Sequence, residues 1–232
     1  MTFTERIHAR FGKGQFTCVS LPEVRHATEE AVAKNIRETK DLVAAYLIAD
    51  PQALMLAHII APEVPVVTKF EDKWSDAVIV SLYDYEGSPD DTMVFVNCRT
   101  KGSGYADTFQ TTSVLITPDS PSHMHREEPG FEPLYVRVAR GVAMMNEVSA
   151  LGLVVSAGCS EEEMGLIRTE APNVMTLITG AVTHPAIETS VRIFGVHCLI
   201  NIPDYNFRGN GTRWLTDINK SINKALIPTA KA

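Results

Sequence analysis

Short apolar runs alternate along this chain with longer segments in which apolar residues recur every three or four positions. The short runs have the length of buried strands, and the longer segments have the period of amphipathic helices. The pattern predicts strands at residues 16–21, 45–48, 64–68, 77–82, 93–98, 151–156, 174–178 and 197–200. It predicts helices at 29–46, from Pro51, at 131–148, from Ser160 (with Glu163 as a capping box), and at 185–193 and 213–226.

About eight strands that alternate with helices are typical of a parallel α/β sheet or barrel. At a length of 232 residues, a closed (β/α)8 barrel of the TIM type is favoured over an open, doubly wound sheet. We expect residues 1–232 to form one domain.

The predicted strands are unevenly spaced. Residues 69–76 separate the third strand from the fourth, and residues 83–92 separate the fourth from the fifth. A crossover between parallel strands normally needs about a dozen residues, so the outer helices after strands 3 and 4 are predicted to be shortened or lost. Residues 107–133, by contrast, are long and contain four prolines, which predicts an irregular insertion.

Composition narrows the possible partners. The net charge of −7 argues against a nucleic-acid binder, because phosphates are neutralised by a basic face. No apolar run is long enough to predict a membrane span. The four cysteines are widely separated and form no C-x-x-C pair, which predicts buried free thiols in an intracellular compartment.

The first thirteen residues are basic and allow two interpretations. They fit a mitochondrial presequence, or a short amphipathic helix that caps the barrel floor with Phe3, Ile7 and Phe11 on one face. The spacing favours the helix, and the compartment, cytoplasmic or mitochondrial, stays open.

Residues 93–104, M-V-F-V-N-C-R-T-K-G-S-G, resemble the fifth barrel strand of orotidine 5′-monophosphate (OMP) decarboxylases, which reads roughly F-V-L-C-R-T-S-N-P-G. Other family motifs have counterparts in the same order, including F-T-C-V-S-L-P at 16–22, L-Y-V-R-V-A at 134–139 and G-L-V-V-S-A at 152–157. The resemblance covers nearly the whole chain. It is most similar to the decarboxylase half of kinetoplastid-type fused UMP synthases.

The resemblance implies cofactor-independent decarboxylation by a D-x-K-x-x-D array at the end of the third strand. Here Lys69 and Asp72 keep K-x-x-D, but Val67 stands where the family has its first aspartate. Without that carboxylate the array no longer repels the departing carboxylate of the substrate from this side, and the lysine loses one of the groups that orient it. Lys69 and Asp72 are therefore catalytic candidates only if the barrel is active.

Other residues that the resemblance expects to contact the nucleotide are replaced. The ribose-binding aspartate is lost around residues 21–23, the lysine after the second strand is Leu47, and the serine after C-R-T is Lys101. The phosphate-binding glutamine aligns with His184, and the arginine of S-S-R-G aligns with Asp204. Arg208 and Gly209 restore a phosphate-binding loop if four residues are inserted; otherwise residues 206–211 form a turn.

Three functions remain open. The first is a pseudoenzyme: a decarboxylase-like barrel that has lost catalysis and serves as a structural subunit bound to other proteins in a larger assembly. The second is an active OMP decarboxylase of pyrimidine biosynthesis with a displaced site, in which Lys69 and Asp72 are catalytic and Arg208, Gly209 and His184 bind the phosphate of orotidine or uridine monophosphate. The third is a binder of another phosphorylated metabolite. No cofactor or metal is predicted, since H-x-H at His123 and His125 fits a polar loop better than a metal site.

Overall fold

A computed structural model describes residues 2–67, 69–71, 93–100, 111, 113–116, 130–146, 151–181 and 183–226. At residue 25 and at residues 69–71, 113–116, 130 and 204–210 it describes the backbone alone.

Strands and helices alternate through most of the described chain. The strands are β1 Thr17–Ser20, β2 Ala45–Leu47, β3 Val66–Val67, β4 Lys69–Glu71, β5 Val94–Arg99, β6 Ser113–Ile116, β7 Gly130–Pro133, β8 Leu151–Ser156, β9 Met175–Thr179 and β10 Cys198–Ile202. The α-helices are α1 Phe3–Phe11, α2 Glu29–Thr39, α3 Pro51–Ile60, α4 Leu134–Met145, α5 Glu161–Glu170, α6 His184–Phe194 and α7 Asp204–Leu226. Single 3-10 turns lie at Val24–His26 and Gly195–His197.

The main sheet curls into a barrel. Its strand order is β3-β2-β1-β10-β9-β8-β5-β4, and every pair in it is parallel. The two ends of this order, β3 and β4, are separated in the chain by Thr68 alone. The segment 66–71 therefore pairs with β2 through its first half and with β5 through its second, which joins the two edges. The predicted TIM-type α/β fold is confirmed.

The number of strands differs from the prediction of eight. Within the described part of the chain the barrel contains seven strands, with β3 and β4 counted as one. Phe70 of β4 pairs directly with Phe95 of β5, which leaves no place between them for the strand predicted at 77–82. That segment lies outside the described residues. The connections predicted at 69–76 and 83–92 lie largely outside the described residues too, so the shortening of the outer helices after strands 3 and 4 stays a prediction.

Helix α4 begins three residues later than predicted. Pro133 disfavours helical geometry at the residue before it, so residues 131 and 132 join β7 instead. β7 pairs antiparallel with β6, and the two form a hairpin within the stretch predicted to be irregular. Helix α2 likewise ends at Thr39 rather than continuing to residue 46, because a turn at 40–42 redirects the chain into β2.

A network of three charged side chains ties this hairpin to the outer helices. Arg140 of α4 donates to both carboxylate oxygens of Glu132, at 2.9 and 2.8 Å, and to Glu170 of α5, at 2.8 Å. The Glu170 carboxylate raises the pKa of Arg140, and Glu132 adds to this against the opposing effect of burial. Glu132 is only 4% exposed, so its charge is stabilised almost wholly by this network.

Helix α1 closes the amino-terminal end of the barrel. Phe3, Ile7 and Phe11 are all buried, which confirms the predicted amphipathic helix. Arg10, 5% exposed, donates through Nε to Val43 O at 2.6 Å and through Nη2 to Lys40 O. Both carbonyls lie just before β2, so Arg10 fixes α1 against the amino ends of the strands.

All four cysteines are buried free thiols, as predicted. Burial raises the pKa of Cys18, Cys98 and Cys198. These thiols therefore remain protonated and behave as core residues.

Candidate functional site

The carboxyl ends of the strands are where barrels of this type carry their sites. Ser20 and Leu47, the last residues of β1 and β2, pair with each other there, and Val67 lies beside them because it pairs with Leu47. Val67 is fully buried at 0% exposure, and Leu47 is half-buried against the core. The resemblance requires an aspartate and a lysine at these two positions. In this chain both have become part of the apolar core.

A neutral hydrogen bond lies beside this apolar pair. The Ser20 hydroxyl donates to Oδ1 of Asn201 at 3.0 Å, joining β1 to the neighbouring strand β10. Asn201 is buried. The bond satisfies two polar groups at the end of the barrel without placing a charge there.

Arg99, the arginine of the C-R-T motif, is held by a carboxylate. It is 4% exposed and donates through Nε to Oε1 of Glu163 at 2.8 Å. Glu163 also accepts from the Ser160 backbone N–H at 2.8 Å in the predicted capping box, which is confirmed. Burial tends to raise the pKa of Glu163, but the Ser160 N–H and Arg99 outweigh it, so that pKa lies below its usual value. The two charges neutralise each other and fix α5 against β5.

The turns after β8 and β9 are held by hydrogen bonds. Ser156 Oγ accepts from Gly158 N at 3.1 Å, and the Ala157 N–H donates to Thr179 O at 2.8 Å. Gly180 then takes a positive φ of 71°, which a side chain would disfavour. His184, the candidate phosphate-binding residue, follows as the exposed first residue of α6.

The other predicted site residues are described less fully. The backbone of Lys69 lies in β4 and pairs with Val94. Arg208 and Gly209 lie in α7, whose helix runs from Asp204 and is broken at Gly211, where φ is 59° and ψ is −160°. The turn predicted at 206–211 is therefore wrong, because this segment is helical up to Gly211. Asp72, Lys101, His123 and His125 lie outside the described residues.

Among the described residues, no group of three or more His, Cys, Asp or Glu side chains is arranged to hold a metal ion. None of the described helices combines the length and apolar character needed to cross a membrane.

Sequence reasoning missed the Arg99–Glu163 pair. The two residues are 64 positions apart, and neither motif points to the other. The signals that existed were local ones, the C-R-T motif and the capping box, and only the fold brings them together.

Comparison with solved structures gives a consistent result. The chain is similar to Leishmania donovani OMP decarboxylase, with 20% identity and a TM-score of 0.68 over 97% of this chain and 99% of that one. It is similar to Leishmania donovani UMP synthase, with 21% identity and a TM-score of 0.70 over 97% of this chain and 57% of that one. Plasmodium berghei orotidine 5′-monophosphate decarboxylase matches with 12% identity and a TM-score of 0.59, over 97% and 99%.

No family model matches the sequence, and no curated protein matches it either. The likeness is therefore one of fold, and at that level the resemblance predicted from the sequence is confirmed. The chain has the fold of the OMP decarboxylases.

Proposed function

We propose that this protein is a non-catalytic, decarboxylase-like barrel that serves as a structural subunit in a larger protein assembly. The observation that carries the proposal is the apolar pair Val67 and Leu47 at the carboxyl ends of the strands. The resemblance requires at these positions an aspartate that crowds the departing carboxylate and a lysine. Valine and leucine supply neither charge nor hydrogen bond.

Further support comes from Arg99 and from the barrel itself. The charge of Arg99 is already neutralised by Glu163 at 2.8 Å, which lowers its capacity to attract an anion. Beside the apolar pair, the barrel joins β1 to β10 through the neutral Ser20–Asn201 hydrogen bond, which places no charge there. Each change is compatible with a stable barrel, and together they leave the fold without its chemistry.

Genetic complementation tests the loss of catalysis. We expect that the chain, produced as a folded protein in a uracil auxotroph lacking OMP decarboxylase, does not restore growth without uracil. An active decarboxylase gene in the same vector is the positive control. Growth comparable to that control would contradict the proposal and favour the active enzyme with a displaced site around Lys69, Asp72 and Arg208.

The subunit role needs a separate measurement. The endogenous protein should migrate in native separations with a mass well above the 25.5 kDa of the chain, together with fixed partners. If the protein in cell extracts has the native mass of a monomer, the proposed role as a structural subunit is contradicted even if catalysis is absent.

A further inference from the structure

A cavity of about 490 Å³ lies at the amino-terminal end of the barrel, opposite the end considered above. Its lining residues are Arg6, Ala9, Arg10, Lys13, Pro62 and Glu63. The volume falls within the range of small-molecule sites, about 300–1,000 Å³. Three of the six residues carry a positive charge and one a negative charge, in a chain whose net charge is −7.

The three cations come from one face of α1 and its extension. Residues 6, 10 and 13 follow the i, i+4, i+7 spacing that places side chains on one side of a helix. Arg6 donates to Pro62 O at 3.1 Å, which connects α1 to the segment after α3. Arg10 donates hydrogen bonds to the carbonyls of Lys40 and Val43. Its guanidinium group is therefore held in position before a ligand binds.

The charges in the cavity interact. Burial lowers the pKa of Arg10 most; Glu63, followed by Tyr46 and Asp41, raises it, and Arg6 lowers it least. An anion bound among these residues would relieve the repulsion between Arg6 and Arg10. Glu63 is exposed at the rim and would compete with such an anion for the same cations.

Complementing the dipole of α1 does not account for this arrangement. Arg10 and Lys13 lie near the carboxyl end of α1, where positive charge is favourable. Arg6, however, lies in the first half of the helix, where a positive charge does not complement the dipole. The interaction with the dipole also does not explain why Pro62 and Glu63 form a second wall opposite these residues.

We infer that this cavity binds a small molecule carrying a phosphate group on an apolar body. Arginine recognises phosphate through charge-assisted hydrogen bonds from its guanidinium group, and lysine attracts it as a point charge. Ala9 and Pro62 supply apolar wall for the rest of the ligand. The site is separate from the carboxyl ends of the strands. Whether it binds a phosphate compound is therefore independent of the proposed loss of decarboxylase activity.

The test uses two probes, inorganic phosphate and phenyl phosphate, titrated calorimetrically into the whole chain at fixed ionic strength. Lys13→Gln should weaken phenyl phosphate binding about tenfold, the usual effect of losing one charged hydrogen bond. Glu63→Gln should strengthen it severalfold, because a competing carboxylate is removed. Lys34→Gln, on the exposed side of α2, is the matched control and should change nothing.

Opposite effects at Lys13 and Glu63, together with tighter binding of phenyl phosphate than of inorganic phosphate, support the inference. All three substitutions affect exposed side chains, so folding is expected to be preserved. Absence of binding at millimolar probe, equal weakening by Lys34→Gln, or binding of an oligoglutamate peptide without binding of phenyl phosphate would overturn it. Amide chemical-shift changes confined to residues around 20, 47 and 201 would also overturn it, because they would place the ligand at the other end of the barrel.

Discussion

Val67 and Leu47 place apolar side chains beside the carboxyl ends of β1 and β2, whereas α1 places three cations around a cavity at the amino end. In barrels of this type the carboxyl end carries the chemistry and the amino end carries stability. Among the described residues near the carboxyl ends, the buried Arg99 is neutralised by the partly buried Glu163, whereas Lys13 and Glu63 at the amino end are exposed.

The difference shows that fold and site are under separate physical constraints. The core needs apolar side chains of suitable size at the inward positions of the strands, and valine or leucine satisfies this need without a charge. A barrel without charged side chains at positions 47 and 67 can therefore keep its fold. Substitutions at the two ends are ways to test this contrast.

The largest expected effect comes from returning a charge to the carboxyl end. Val67→Asp should lower the free energy of unfolding by about 4 kcal/mol, because a carboxylate would be buried without a partner. Urea denaturation measures the loss, and Val67→Ala controls for lost packing. A cost for the aspartate no larger than that for the alanine would mean that this end is hydrated and could still hold a charge.

A smaller effect is expected from Glu163→Gln. Glutamine keeps an acceptor for the Ser160 N–H but removes the carboxylate that neutralises Arg99, so the expected loss is about 2–3 kcal/mol. Glu161→Gln is the matched control, because its pair with Arg192 is exposed on both sides and is expected to contribute under about 1 kcal/mol. Equal losses in the two variants would contradict a buried pair that holds α5 to β5.

At the amino end, Arg10→Gln should cost about 2 kcal/mol. The substitution removes charged donors from Val43 O and Lys40 O, and buried carbonyls without partners are unfavourable. Chemical denaturation of Arg10→Gln beside Lys13→Gln measures the difference, since Lys13 is exposed. If both variants lose the same stability, α1 is not fixed to the barrel through Arg10.

Stability is also expected to depend on pH. Burial lowers the pKa of His197 from 6.5 to about 4, with further lowering by Arg168 and by His8, whose ring lies 5.7 Å from that of His197. The unfolded chain therefore binds the proton more readily, and stability should fall as the pH drops from about 6.5 towards 4.

His197→Gln should flatten the pH profile in that window, as measured by thermal unfolding at half-unit steps of pH. Glu163 acts at lower pH, because its folded pKa lies below 4.5 and its stabilisation is lost only as the carboxylate is protonated. An unchanged slope between pH 6.5 and 4 in His197→Gln would show that another group is responsible.

Much of the fold was predictable because its signals are local. The apolar periods gave β8 with its observed ends, and gave α3 from Pro51 and the amphipathic face of α1. The capping box of Ser160 and Glu163 was visible because its residues are three positions apart. The start of α4 could have been predicted as well, since Pro133 excludes helix at the residue before it.

The features that escaped prediction depend on distant pairings. Nothing within residues 77–82 reveals that β4 and β5 pair directly and leave a strand there no place between them. The Glu132–Arg140–Glu170 network and the Arg99–Glu163 pair join residues from separate elements, which only the closed barrel brings together. The basic residues of α1 are visible in the sequence, but the cavity that they line also requires Pro62 and Glu63, which follow a different helix.

The most direct test of the central claim is turnover of orotidine monophosphate by the purified chain, followed by the loss of orotate absorbance, with Lys69→Ala as a matched variant. We expect no decarboxylation above the uncatalysed rate in either protein and no thermal shift with uridine monophosphate. Turnover by the natural chain that disappears in Lys69→Ala would contradict it, and would mean that a decarboxylase site persists despite the apolar residues at positions 47 and 67.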